Sequence, residues 1–312
     1  MDTLKQRLDA LSPAKRRLVE LRRERSGSKQ VAITRVPREG ELPLSFAQQR
    51  QWLLHQFAPY SPVYNAPEVL RIRGTLDHQV LERSLNEIVR RHEVLRTIYR
   101  LCYSQPVQVI QSRPEVRLAT RDVRGLPPGD RENEAKRLVQ DEIQRPLDLA
   151  SGPVLRTLLV QLGADDHFLV VTFHHVAYDG WSKTVFNREL ATIYDAFFEG
   201  MPSPMAELPI QYVDYTAWQR NRMQGAVLEE HLEFWRSRLS GAPASVAVPT
   251  DHARPPMPNF EGAHEDVLLA PNIVEQLKTV SKREGVTLFT TLLAKNTVLT
   301  PGMKWVNRPV DS

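Results

Sequence analysis

Apolar positions recur along the chain with two periods, and each change of period marks an element. Leu81, Leu85, Ile88, His92 and Leu95 follow one another at intervals of four, three, four and three, which predicts one face of a helix. Phe46, Leu53, Leu54 and Phe57 predict a helix after Ser45. Arg131 to Arg145 predicts another, ended by Pro146, and Phe186, Leu190, Ile193 and Phe197 a fourth that starts near Ser182. Val69, Leu70 and Ile72 predict a strand. A hairpin is expected from Leu95 to Leu101 and Val107 to Ile110, with Ser104, Gln105 and Pro106 near its turn. Val154 to Leu162 and Phe168 to His174 are apolar at most positions and face each other across Gly163 to Asp166. Runs of that kind belong to a sheet covered on both faces, so the pattern predicts a layered, mixed α/β domain.

The two ends of the chain look different. Leu4, Leu8 and Leu11, then Leu18 and Leu21 among arginines, predict a short helical hairpin, and Arg25 to Gln30 reads as a linker. A first boundary therefore falls near residue 40. Beyond residue 200, helices over 210–223, 227–239, 273–284 and 287–299 are joined by proline-rich loops, and residues 301–312 show no period.

At 312 residues the chain has room for one large domain or two moderate ones, and its 41% hydrophobic and 25% charged composition is that of a globular protein. No apolar run approaches the ~18 residues of a membrane span and the N-terminus carries no signal-peptide block, so a cytoplasmic protein is expected. The single cysteine, Cys102, cannot form an internal disulfide and reads as strand packing. The net charge of +4 is unevenly spread: residues 1–30 carry +5 and the remainder −1. A basic tip on a near-neutral body argues for a partner-binding helix, not a nucleic-acid groove.

The chemistry concentrates in Phe173-His174-His175-Val176-Ala177-Tyr178-Asp179-Gly180-Trp181-Ser182, between a buried strand and an amphipathic helix. Strand neighbours point to opposite faces, so only one of the two histidines can face a pocket. That geometry disfavours a metal pair, and no other ligand lies at zinc-like spacing. A histidine at a strand end suits proton transfer, because its ordinary pKa of about 6.5 lies near neutrality. Asp179 would fix the loop, and Gly180 would permit its sharp exit. Neither a Gly-x-Ser-x-Gly elbow nor a phosphate-binding glycine loop is present. A lone histidine without a protein nucleophile points to direct transfer between two bound substrates.

His174-His175-x-x-x-Asp179-Gly180-Trp181-Ser182 resembles the signature of the condensation domains of nonribosomal peptide synthetases, in the chloramphenicol acetyltransferase-like superfamily. Three further blocks resemble that family's motifs in order: Leu44 to Trp52, Arg91 to Thr97, and Tyr212 to Gln219. The resemblance implies a chloramphenicol acetyltransferase-like α/β fold of two lobes with a tunnel between them. Donor and acceptor carrier domains would present phosphopantetheine thioesters from opposite ends, and the acceptor amine would attack the donor thioester. No cofactor would be bound directly. His175 would be the active-site residue, with His174, Asp179, Gly180 and Arg96 supporting it. Arg96 would pair with Asp179, so that Asp179→Ala would misfold at a cost of about 3 to 5 kcal/mol. Gly180 would place a backbone N–H near the developing charge. His92 reads as a core histidine, and Tyr212, Trp218 and Gln219 as packing.

On this resemblance, residues 1–40 are a basic leader in which residues 1–30 dock an upstream synthetase subunit, 41–208 the first lobe, and 209–312 the lobe connection and the start of a second lobe. The family's later motifs are missing and the likeness fades from about Lys295, so a truncated product is expected, with a complete first lobe and an exposed His175. The intact His-His-x-x-x-Asp disfavours the heterocyclising branch, epimerisation domains share the motif, and the first motif looks most like domains that take an L-configured donor. The alternatives are a stand-alone acyltransferase acting on a hydroxyl and a non-catalytic docking fragment.

Overall fold

A computed structural model describes residues 32–112, 115–243 and 268–299 of the protein. The expected N-terminal helical hairpin and the chain end after residue 300 lie outside the described residues. The rest falls into two compact units divided between His231 and Leu232.

In chain order, the first unit holds β1 (Leu42–Pro43), α1 (Phe46–Phe57), β2 (Asn65–Arg73), α2 (His78–Arg91), β3 (Thr97–Cys102), β4 (Gln105–Ile110), β5 (Leu118–Asp122), α3 (Pro128–Gln144), β6 (Leu155–Gln161), β7 (Asp166–His174), α4 (Gly180–Phe198) and α5 (Tyr212–Arg222). Four strands form a sheet in the order β2-β7-β6-β5, with β5 parallel to β6 and the other pairs antiparallel. A smaller antiparallel sheet runs β1-β4-β3.

The apolar runs of β6 and β7 are sorted by the two-residue period of a strand. Leu155, Leu159, Leu169, Val171 and Phe173 join the core formed with Leu81, Leu85 and Ile88 of α2 and Phe186, Leu190 and Ile193 of α4. Their neighbours Leu158, Val160 and Val170 pack with Ala135, Leu138 and Val139 of α3. The larger sheet is thus covered on both faces, as the sequence pattern predicts.

Two elements depart from the sequence reading. β5, Leu-Ala-Thr-Arg-Asp, is an edge strand with a single neighbour and mostly exposed side chains, so it carries no apolar period to detect. The hairpin turn is Tyr103-Ser104, both left-handed with φ of 45° and 65°, and Pro106 lies inside β4. Its missing N–H costs no ladder bond to β1, which pairs only with Val107 and Gln108. Cys102 ends β3, where its thiol donates to Glu41 Oε1 at 2.8 Å.

Gly152 precedes β6 with φ +66°, and a Cβ there would lie 2.8 Å from Ile98 Cγ2. Alanine would meet both a disfavoured backbone and a packed neighbour. Gly152→Ala is expected to lower stability by about 2 to 4 kcal/mol in urea unfolding, whereas the exposed, left-handed Gly200, with nothing within 4 Å of its Cβ position, should give the smaller loss.

Helix α5, which the sequence assigns to the lobe connection, joins the first unit through its side chains. Tyr212 Oη lies 3.0 Å from Ser45 Oγ, Gln219 Oε1 accepts from the Phe46 N–H at 3.0 Å, and Arg220 Nε donates to the Leu44 carbonyl at 2.8 Å. The packing role expected of Tyr212 and Gln219 thus takes the form of a clamp on the start of α1. Helix α6 (Gly225–Leu239) crosses the division. In the second unit, α7 (Pro271–Glu284) ends at left-handed Gly285 and pairs with α8 (Leu288–Leu299) through Ser281 Oγ and Thr291 Oγ1, 2.7 Å apart.

Candidate active site

The histidine loop begins where β7 runs out of sheet. The His174 N–H donates to the Val154 carbonyl and the His175 N–H to the Tyr64 carbonyl, both at 2.8 Å, which pins the exit on two sides. The Tyr178 ring stacks on Phe173, centroids 4.0 Å apart, with Phe186 edge-on to both, so the loop is pressed onto the core. Asp179 then caps α4: its Oδ1 accepts from the Ser182 N–H at 2.9 Å and the Ser182 hydroxyl at 2.7 Å, and the Asp179 N–H donates back to Ser182 Oγ at 3.3 Å. Those bonds hold the Asp179 carboxyl below its ordinary range.

The two histidines part company at the strand end, where His174 is the last residue of β7 and His175 opens the turn that follows. His174 is 2% exposed, and its Nδ1 accepts from the Val176 N–H at 3.0 Å, so the ring proton sits on Nε2. His55 stands edge-on to it at 5.4 Å. Burial first, then the neighbouring His55 and His175, push its pKa down to about 3. An unfolded histidine titrates near 6.5, so this stabilisation is complete above about pH 6.5 and is lost as the pH falls below it, by ~1.4 kcal/mol per unit. Urea unfolding is therefore expected to show a loss between pH 7 and pH 5 that is about 2 kcal/mol larger in the parent than in His174→Asn, which keeps an acceptor for Val176, while His55 and His167, also depressed by burial, contribute to both. An equal pH slope in the variant would defeat this account.

His175 is exposed, and its Nδ1 lies 2.5 Å from the Tyr178 carbonyl oxygen. A carbonyl only accepts, so Nδ1 carries the proton and Nε2 of the neutral ring keeps its lone pair. The ring lines a cavity of about 470 Å³, within the usual range for a ligand site, whose wall also includes Gln48, His92, Asp179, Gln211 and Tyr212. The geometry is that of an oriented proton acceptor beside a chamber. Among the described residues, no group of three His, Cys, Asp or Glu side chains is placed to hold a metal ion, and no helix is long and apolar enough to cross a membrane.

Three expectations are corrected here. Arg96 does not meet Asp179: it donates to the Gln111 carbonyl at 2.5 Å and lies 3.7 Å from Glu93, its neighbour in the same turn. It stands just before β3 in the small sheet, while Asp179 satisfies itself within the first turn of α4. Asp179→Ala is accordingly expected to remain folded and to lose about 1 kcal/mol, the worth of a cap, in thermal or urea unfolding. A loss of 3 kcal/mol or more would restore a buried pair.

Gly180 is not needed for a sharp exit. Its backbone is not left-handed, and an added Cβ would meet nothing within 4 Å. His92 is not in the core. It caps the end of α2, keeps 23% of its side chain exposed on the cavity wall, and places Nε2 2.6 Å from Glu189 Oε2.

Glu189 itself is 3% exposed and also lies 3.4 Å from Arg91 Nε, with Arg91 6% exposed and donating to the Ala206 carbonyl. None of the sequence motifs points to this carboxylate. A signal was present all the same, since Glu189 sits beside Leu190 on the stripe of Phe186 and Ile193, where a charge needs a partner.

The family described as Condensation domain matches residues 38–299, and the chain belongs to it. It is 43% identical over 278 residues to a component of the linear gramicidin synthase of Brevibacillus parabrevis, an alignment covering 89% of this chain and 4% of that protein. Among solved structures, the X-domain from teicoplanin biosynthesis superposes with a TM-score of 0.70 at 30% identity, over 82% of this chain and 56% of the other. The first condensation domain of the CDA synthetase shares the fold, with a TM-score of 0.64 at 24% identity, over 80% of this chain and 59% of that one. The chloramphenicol acetyltransferase-like α/β fold class expected from the motifs is thereby shown. The chain spans a small fraction of its curated relative and somewhat more than half of the solved chains.

Proposed function

We propose that the protein forms an amide bond between two carrier-bound substrates, with His175 acting on the incoming amine. The observation that carries this reading is the anchoring of His175 Nδ1–H on the Tyr178 carbonyl, which leaves Nε2 as an acceptor in the 470 Å³ cavity. A donor carrier presents an acyl thioester and an acceptor carrier an aminoacyl thioester, each on phosphopantetheine, so the chain itself needs no cofactor. An α-amine has a pKa of about 8 and is largely protonated at neutral pH, so attack requires a group that accepts its proton. In the reaction the neutral amine nitrogen bonds to the thioester carbonyl carbon as Nε2 takes a proton from it, and when the C–S bond breaks Nε2 returns that proton to the departing sulfur, which leaves as the donor's thiol. Holding the amine against the carbonyl contributes alongside proton transfer. Asp179 keeps the loop in register through Ser182. Residues 1–30 would then serve as the contact to an upstream synthetase subunit.

The test is a condensation assay on the purified chain with aminoacyl-loaded donor and acceptor carriers, scored by mass for the dipeptidyl carrier. Product from the parent and none from a folded His175→Ala supports the reading. A folded parent that makes no product, alone or when supplied with the rest of a second lobe, would sink it.

A further inference from the structure

A second, smaller cavity opens beside the first. It measures about 140 Å³, and Ile88, Leu95, Phe173, Val185 and Phe186 supply its apolar walls. His92, Val94, Ala177, Tyr178 and Ser182 line both cavities, so the two are contiguous. Trp181, also on the small cavity, is 84% exposed, an aromatic surface with one side open.

From these observations we infer that the small cavity is a side-chain subsite for the acceptor, selecting an apolar aminoacyl group of leucine to phenylalanine size. The inference rests on the reading of His175 given above. If the acceptor amine meets Nε2 of His175, its side chain branches from the carbon that carries that amine, two bonds away, and so enters the neighbouring space. A cavity of about 150 Å³ is known to hold a benzene-sized guest, so a phenyl or isobutyl group fits, whereas glycine and alanine leave the space empty. The walls offer no free charge to a polar side chain. His92, the one titratable group on the shared wall besides Tyr178, already has Nε2 bonded to Glu189, which Arg91 also contacts. An acidic or basic side chain would meet no opposite charge there, and its desolvation would disfavour it.

Discrimination by such a pocket is roughly 10- to 200-fold for a well-placed apolar group. The experiment is calorimetric titration of the full chain with non-hydrolysable leucyl, phenylalanyl, glycyl and aspartyl amides of aminopantetheine. The leucyl and phenylalanyl amides are expected to bind at least 10-fold more tightly than the glycyl and aspartyl ones. Val185→Trp, which fills the space, should reduce the leucyl-to-glycyl ratio to within about threefold, and Val185→Ala, which enlarges it, should shift preference from leucyl to phenylalanyl. Equal binding of the glycyl and leucyl amides by the parent would overturn the subsite and leave the His175 reading intact. A ratio unaltered in both folded Val185 variants would do the same. Failure of every amide to bind would overturn both together.

Discussion

His175→Ala is expected to slow amide formation by about 10² to 10⁴-fold, the usual worth of a positioned proton acceptor, while the melting midpoint stays within about 2 °C of the parent. The two halves of the prediction come from different atoms. The backbone bond that secures this position, from the His175 N–H to the Tyr64 carbonyl, survives in any residue but proline. The side chain is exposed and supports only the Tyr178 carbonyl, so its loss costs little stability. Its Nε2, by contrast, is not readily replaced: His174 is buried, with Nδ1 occupied by Val176, and His92, the other histidine lining the cavity, has its Nε2 engaged by Glu189. His175→Asn sharpens the test, because an amide N–H can reach the Tyr178 carbonyl yet offers no basic nitrogen. Equal inactivity in the alanine and asparagine variants assigns the effect to chemistry. Retention of more than about a tenth of the activity in either variant would remove His175 from the proton-transfer role.

What the sequence makes legible here follows from how local each signal is. β6 and β7 announce themselves because every second residue faces one of two cores, and α2 because Leu81, Leu85 and Ile88 meet a single face of the sheet. The expectation that only one of His174 and His175 faces a pocket was likewise local, although His175 lies one residue past β7 and takes its direction from the turn. Partners distant in sequence were not legible. Arg96 and Asp179 resemble two members of a pair when motifs are set side by side, yet each finds its contacts within three residues or at an adjacent strand end. His92 keeps helical spacing with Ile88 in the pattern but falls one residue past the end of α2, where the chain turns and the ring swings to Glu189, 97 residues away. Periodicity records which side of a helix is apolar. It does not record where the helix stops, and at a cap one residue changes a core position into a cavity wall.

Asp214→Ala should be the most destabilising change behind the cavity wall, at about 3 to 5 kcal/mol, because it strips the partner from a guanidinium and leaves several N–H groups unpaired. The carboxylate is fully buried and accepts from Arg38 Nη1 at 2.7 Å and Nη2 at 3.0 Å, from the Val36 N–H at 2.9 Å and from the Gln211 N–H at 2.7 Å. Burial alone raises its pKa, but Arg38 and the two N–H groups outweigh that and leave it below the ordinary range. With a folded pKa depressed in this way, the stabilisation is fully present above an unfolded value near 3.9 and disappears as the pH falls through the folded value. The gap between parent and Asp214→Ala in urea unfolding should therefore be constant from pH 5 to 8 and close only in strong acid. The link to function runs through Gln211, whose Oε1 accepts from the Glu93 N–H at 3.1 Å and whose Nε2 donates to the Arg91 carbonyl at 2.8 Å. Asp214 thus fixes the residue that ties α5 to the turn carrying His92, and Gln211 and His92 both line the His175 cavity. A double-mutant cycle with Arg38→Ala checks the pairing, since Arg38 also bonds Glu93 at 2.8 Å and the two single losses should overlap instead of adding. A stability loss under about 1 kcal/mol, or strict additivity with Arg38→Ala, would show that the buried carboxylate does not hold this wall in place.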